Sequence, residues 1–261
     1  MATYSQAMMD RENPKRASAS PPDWAPGPIT RWLTPVTRWI ITNFVAPPCV
    51  FLLFGLLNRT RVYGRRRIRH VPNTLVLSNH QSMIDSFPIA YYLFFPEKMF
   101  RPELAPWNAA AAENFFKNPI FAWVFHQFQC IPVRRGRRDL SAMIRSAGVL
   151  RAGILTFFPE GTRSRDGRVG RGRAGAGMVI LQTRPQVVPI TLEGLDRVLP
   201  IGSRLPRIGQ RVSIYVGRPV PYDDLAAEGR SRKNAQRIVD RVMKRIAFQQ
   251  RVLRRLHRRR P

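Results

Sequence analysis

The sequence predicts an α/β fold, and three observations lead to it. Short apolar runs of strand length recur beyond Tyr63, helical stretches separate them, and two polar motifs each follow directly on a buried run. Thr74–Ser78 (TLVLS) reads as a buried strand, and 82–93 as a helix that Pro88 should disturb. Residues 108–128 carry helical periodicity interrupted at Pro119, and 129–133 form a short strand. An amphipathic helix follows at 140–150, then a second buried strand at 154–158 (ILTFF), a helix at 174–182, and strands at 187–192 and Arg211–Val216.

The two ends differ from this core. Residues 1–30 are polar and rich in Pro and Ser, and read as a flexible tail without the apolar core of a signal peptide. Segment 31–60 contains a stretch without charge at 39–58 (WIITNFVAPPCVFLLFGLLN), about the length that crosses a bilayer core. Pro47 and Pro48 break helical hydrogen bonding at its middle, and Thr42 and Asn43 add polarity. Arg31 and Arg38 precede it; Arg59, Arg61 and Arg65 to Arg67 follow it. Positive charge on both sides favours a membrane-associated helical hairpin that dips into one leaflet and returns, with a single span or a buried core helix as alternatives. Residues 61–229 hold the α/β core, and 230–261 form a basic helix assigned to the same unit. The helix places Ile238, Val239, Val242, Ile246, Val252, Leu253 and Leu256 partly on one face, which suits either packing on the core or resting on anionic headgroups.

Length and charge set the outer bounds. The 261 residues suffice for one domain with a well-buried core. Lys and Arg total 44 against 16 acidic residues, a formal +28, which points to a polyanionic partner, either nucleic acid or an anionic membrane face. No helix-turn-helix, zinc-finger or RNA-binding signature is present, so specific nucleic-acid binding is not expected, and such a binder has no use for the uncharged stretch. Cys49 and Cys130 stand far apart in apolar runs and read as small buried hydrophobes, not as a disulfide or a metal site.

Chemistry concentrates in two places. In Asn79-His80-Gln81-Ser82-Met83-Ile84-Asp85, the histidine comes just after a buried strand, where ligands gather in open α/β sheets. An imidazole is suited to take a proton near neutral pH. Five residues on a regular helix turn through about 140°, so His80 and Asp85 meet only if His80 lies in the turn before the helix and Asp85 in its first turn. Asp85 would then orient the ring and stabilise the imidazolium. The second motif, Phe158-Pro159-Glu160-Gly161-Thr162-Arg163-Ser164-Arg165, also follows a strand. Gly161 permits close backbone or ligand approach, Arg163 can hold a phosphate through two parallel hydrogen bonds, and Glu160 can pair with an arginine or accept from a hydroxyl.

The ordered pair NHxxxxD and FPEGTRS resembles the glycerophospholipid acyltransferase family, whose bacterial type member is the 1-acylglycerol-3-phosphate acyltransferase. Cys130-Ile131-Pro132-Val133-Arg134-Arg135-Gly136 is similar to that family's second block and Val187-Val188-Pro189-Ile190 to its fourth, so the resemblance covers about 62–221. Two departures bear on the acceptor: the Gly and Phe usual near Cys130 and Pro132 are missing, and Arg171 and Arg173 stand where many relatives carry a Lys. The resemblance implies a mixed, partly parallel central sheet flanked by helices, often preceded by a membrane-embedded helical pair. It implies His80 as general base and Asp85 as its partner. Arg134, Glu160, Gly161, Thr162 and Arg163 would bind the glycerol-phosphate part of the acceptor, and Pro189 would shape the acyl region. The reaction implied is direct attack on an acyl thioester, with acyl-CoA or acyl-carrier protein as donor, a lysophospholipid as acceptor, and no cofactor or metal. The place implied is the cytoplasmic face of the cell membrane, on anionic phospholipid.

Other signals are weaker. Gly170 to Gly175 spells GxGxxG, but a charged loop separates it from the preceding strand. Ser78, Ser82 and Ser164 lie outside any GxSxG elbow, and His70, His126 and His257 lack partners at ligand spacing. The reading left standing beside acyl transfer is a non-enzymatic basic protein bound to nucleic acid or membrane.

Overall fold

The computed structural model describes residues 28–111, 119–133 and 139–259. Most of the expected tail and Arg134 therefore lie outside the described residues. The chain divides after Pro35 into two compact units, and the described residues of the first are the opening of the first helix.

That helix, α1 (Pro28–Ile40), runs without a break through a π-helical stretch Ile41–Val45, α2 (Ala46–Val50) and a second π-helical stretch Phe51–Leu56. The expected hairpin is therefore corrected to one helix, and Thr34–Leu56 is long and apolar enough to cross a membrane by length and composition. The physical reason lies at the prolines. Pro47 and Pro48 are the second and third residues of α2, just past the first π-helical stretch, so their missing N–H groups fall where the helical register changes. Val50 and Phe54 are buried, whereas Phe44, Val45, Phe51, Leu52 and Leu56 are exposed. Cys49 belongs to the exposed face, not to a core; Cys130 is buried as expected.

The remaining elements are β1 (Arg59–Tyr63), β2 (Thr74–Ser78), α3 (Ser86–Phe94), α4 (Glu97–Phe100), β3 (Trp107–Ala111), α5 (Pro119–Gln127), β4 (Cys130–Val133), α6 (Leu140–Ala152), β5 (Ile154–Phe157), α7 (Ala174–Thr183), β6 (Gln186–Glu193), α8 (Leu195–Val198), β7 (Arg211–Val216), α9 (Asp223–Ala227) and α10 (Arg232–Arg259). The strands make one seven-stranded sheet ordered β1-β7-β6-β2-β5-β3-β4. All neighbouring pairs are parallel except β6–β7, so the sheet is mixed and mostly parallel.

Two strands depart from the sequence reading. β3 carries Ala109-Ala110-Ala111, good helix formers, yet pairing with β4 and β5 draws it into the sheet. β1 alternates Arg59, Arg61 and Tyr63 and lies at the sheet edge against β7, so it has no buried apolar run to announce it.

The core has a layer on each sheet face. From β2, Leu75 and Leu77 enter one layer with α7 and α10, while Val76 enters the other with α3 and the N-terminal helix. Each fully buried aliphatic side chain of this kind contributes roughly 1.5–3 kcal/mol. The C-terminal helix packs on the core: Ile238, Val239, Val242, Ile246 and Leu253 are all buried, while Arg232, Arg237, Arg245, Arg251 and Arg255 are exposed. A Cβ at Gly177 would stand 2.0 Å from the Ala235 carbonyl oxygen, so α7 and α10 meet at a residue without a side chain. Gly177→Ala should lower stability by about 1–3 kcal/mol despite the better helix propensity of alanine, read from denaturant midpoints; an unchanged midpoint would mean that the helices are not this close.

Candidate active site

β2 and β5 are parallel neighbours in the register Leu77↔Phe157, so the chain leaves both at the same sheet edge. The crossovers then go opposite ways: α3, after β2, packs in one core layer, and α7, after β5, packs in the other. This is a topological switch point, the crevice where open α/β sheets place ligands. His80 follows β2 by two residues and Glu160 follows β5 by three, so the fold brings the two motifs together.

Between β2 and α3, residues 79–85 fold into a turn around one carboxylate. Asp85 is buried and precedes the first residue of α3. Its Oδ2 accepts from Gln81 N at 2.6 Å and lies 2.8 Å from His80 Nδ1, while Oδ1 accepts from Ser82 N at 2.9 Å. With the carboxylate as acceptor, Nδ1 carries the ring proton and Nε2 presents a lone pair. The His80 ring also stacks on Phe158, centroids 4.4 Å apart. The pair thus meets because His80 sits in the turn, with Asp85 at the edge of the helix.

Other side chains of the first motif hold this turn in place. Asn79 donates to the Leu192 carbonyl and accepts from Leu192 N, pinning the turn to β6. Gln81 donates to Gly167 O and accepts from Leu195 N. Ser82 Oγ donates to Leu199 O, which ties the turn to the segment after α8. Buried Glu193 accepts from Gln250 and Arg254 of α10, which also bond Gly167 O, so the C-terminal helix braces the same region. Sequence spacing gave no hint of these long-range partners.

The second motif wraps beneath the first. His80 N donates to Glu160 Oε1 at 3.4 Å, and Ser164 N donates to His80 O at 2.8 Å. Gly161 adopts φ of +70°, a conformation that only glycine takes without strain. Burial pushes the Glu160 carboxyl up to about 7, against the lowering effect of N–H donors from His80 and Gly170.

A cavity of about 490 Å³ opens beside the pair, walled by His80, Gly161 and Arg163 and by apolar side chains such as Phe87, Phe125 and Phe128. Arg163 is half-buried. Glu160 lies behind the wall rather than in it, Thr162 is exposed beside it, and Pro189 is buried in β6 away from it. Four polar residues not singled out in the sequence also line the cavity: Ser86, Lys98, Asn108 and Gln129. Lys98 Nζ donates to the Thr42 carbonyl at 2.9 Å, and burial brings its ammonium down to about 8. An isolated lysine in an arginine-rich chain carries no motif that would have marked it. Among the described residues, no cluster of three or more His, Cys, Asp or Glu side chains is set to hold a metal ion. His70 bonds Leu93 O and His257 bonds Ser213 Oγ, both structural contacts.

Fold and site together define an α/β protein with a histidine–carboxylate pair at a switch point, opening on a largely apolar cavity edged by a guanidinium. Comparison with known proteins places it further. The profile of the Acyltransferase family matches residues 59–193, just over half of the chain. The 1-acyl-sn-glycerol-3-phosphate acyltransferase LPAT1 of Arabidopsis thaliana chloroplasts is 33% identical over 162 residues, 60% of this chain and 42% of that protein. The N-acylphosphatidylethanolamine synthase of Arabidopsis thaliana is 31% identical over 160 residues, 57% of this chain and 56% of that one. The crystal structure of the 1-acyl-sn-glycerophosphate acyltransferase PlsC from Thermotoga maritima shares the fold, with a TM-score of 0.57 and 21% identity over 85% of this chain and 97% of that one. The chain spans about half the length of the curated relatives it matches. It belongs to the Acyltransferase family.

The raised Glu160 carboxyl has a consequence for stability. Unfolded it titrates near 4.5, folded at about 7, so the folded state holds the extra proton between those values. Its contribution is fully present below 4.5 and is lost as pH rises through about 7. Glu160→Gln should therefore gain stability relative to the wild type as pH rises across that window, in urea midpoints measured at each pH. A constant difference would mean that the carboxyl is not raised.

Proposed function

We propose that this protein transfers a fatty acyl group from an acyl thioester, acyl-CoA or acyl-carrier protein, to the free hydroxyl of 1-acylglycerol-3-phosphate, giving phosphatidic acid. It does so on anionic phospholipid at the cytoplasmic face of the cell membrane. One observation carries the reading: His80 Nδ1 lies 2.8 Å from Asp85 Oδ2, and the ring walls a cavity that Arg163 also walls.

In this mechanism Nε2 takes the proton of the acceptor hydroxyl as its oxygen attacks the thioester carbonyl. The tetrahedral intermediate collapses, the C–S bond breaks, and the thiolate takes the proton back from the imidazolium. Asp85 stabilises the imidazolium formed between these steps. Arg163 holds the acceptor phosphate through its planar fork, with Arg134 as a second phosphate partner and Gly161 and Thr162 at the strand end beside it. Glu160 supports the backbone of His80 from behind. The apolar cavity takes the acyl chain. Because the thioester is already activated, neither a metal nor an organic cofactor is needed, and the base contributes about 10²–10⁴-fold. The exposed apolar helix and the +28 charge support the membrane location.

A second acceptor class is favoured by one comparison: the similarity to the N-acylphosphatidylethanolamine synthase brings in an amine-bearing lipid as acceptor. A nucleic-acid-binding role leaves the His80–Asp85 pair and the cavity without a use.

The test is thioester-dependent acylation of lysophosphatidic acid by membranes carrying the protein. His80→Ala should lower turnover by about 10²–10⁴-fold without releasing the protein from membranes, and retention of most activity would remove the general base. Product from phosphatidylethanolamine but not from lysophosphatidic acid would reassign the acceptor. Arg163→Lys should raise the KM for the acceptor on the order of tenfold and leave that for the donor near the wild-type value; an effect confined to the donor would place Arg163 elsewhere.

A further inference from the structure

The loop between α8 and β7 presents its apolar side chains to the outside. Ile201 is 49% exposed, Leu205 80% and Ile208 63%. A surface this open at three aliphatic residues within eight positions is not the outer side of a folded core. The stretch 197–211 also carries Arg197, Arg204, Arg207 and Arg211 and no acidic residue.

The base of the loop is firmly held. Arg207 N donates to Val198 O at 2.7 Å, and Ser203 N to Pro200 O at 3.1 Å. Gly209 N donates to Leu57 O at 2.7 Å, and Gln210 N to Asn58 Oδ1 at 2.8 Å. Leu57 and Asn58 directly follow the helical run that ends at Leu56. Leu56, 65% exposed, and Leu57, 41% exposed, therefore bring the apolar face of that helix to the foot of the loop. On the inner side, Ser82 Oγ bonds Leu199 O, so the loop base also touches the turn that carries His80 and Asp85.

We propose that Ile201, Leu205 and Ile208 form a second membrane contact, a wedge that enters the headgroup region of an anionic bilayer while Arg204 and Arg207 pair with lipid phosphates. The occupant is a lipid surface for two reasons. The patch continues the exposed apolar helix, and aliphatic tips flanked by cations suit the interface, where aliphatic groups reach the acyl boundary and cations stay with the phosphates. The wedge rests on the membrane-bound reading given above. It adds that the protein is held at two places, one of them tied to the catalytic turn, which fixes its tilt on the surface.

The test uses the whole chain with an environment-sensitive fluorophore on cysteine and mixed phosphatidylcholine–phosphatidylglycerol vesicles. In the otherwise unaltered chain the label goes to Cys49, which is exposed on the apolar helix; Cys130 is buried. A second form carries Leu205→Cys with Cys49→Ser. Blue-shifted, severalfold brighter emission on vesicle addition is expected for both. Insertion reported from Cys49 without a change at position 205 overturns the wedge and leaves the membrane-bound reading standing. No change at either position overturns both. As a second measurement, Leu205→Asp with Ile208→Asp should lower the vesicle partition coefficient on the order of tenfold at high salt, where the arginines are screened; an unchanged coefficient overturns the wedge.

Discussion

The buried Asp85 carboxylate is the group around which the site is built. A carboxylate taken from water costs several kcal/mol unless its oxygens are satisfied. Here Gln81 N, Ser82 N and His80 Nδ1 satisfy it. The same bonds that make its burial tolerable also wind residues 79–85 into a tight turn and set the angle of the imidazole. Orientation of the histidine and stability of the turn are therefore one property, and a change at this carboxylate disturbs both. Asn79 and Gln81 extend the constraint to β6 and α8, so the seven-residue motif is also fixed from two sides by distant elements.

Parallel pairing of β2 with β5 supplies the second half. Because both strands end at one edge, residues 80 positions apart in sequence come within hydrogen-bonding distance, and Ser164 N reaches His80 O. The crossovers to opposite faces leave the gap between these strands open. The cavity lies beside that gap, so its position follows from topology more than from any one side chain.

Much of this was readable in the sequence. Runs such as TLVLS and RVSIYV, apolar enough for a two-faced burial, appear as β2 and β7 with the expected limits. His80 and Asp85 meet by the turn geometry that their spacing required. Local reasoning fails where partners are distant. Ala109 to Ala111 favour a helix until β4 and β5 offer a ladder, and the arginines of β1 hide an edge strand. The prolines at 47 and 48 signalled a bend, yet a change of helical register accommodates them. The apolar stripe of the basic C-terminal helix packs on α7 and β6, the first of the two uses its spacing allowed. Lys98, Asn108 and Gln129 meet at the cavity only through the tertiary fold.

The N-terminal helix is part of the cavity as well as of the surface. Thr42 belongs both to that helix and to the cavity wall, and its carbonyl receives the Lys98 ammonium. Removing this helix would thus open the cavity wall and leave the buried Lys98 ammonium without its acceptor. In the proposed function, the helix that meets the lipid and the wall that meets the substrate are therefore one piece of architecture.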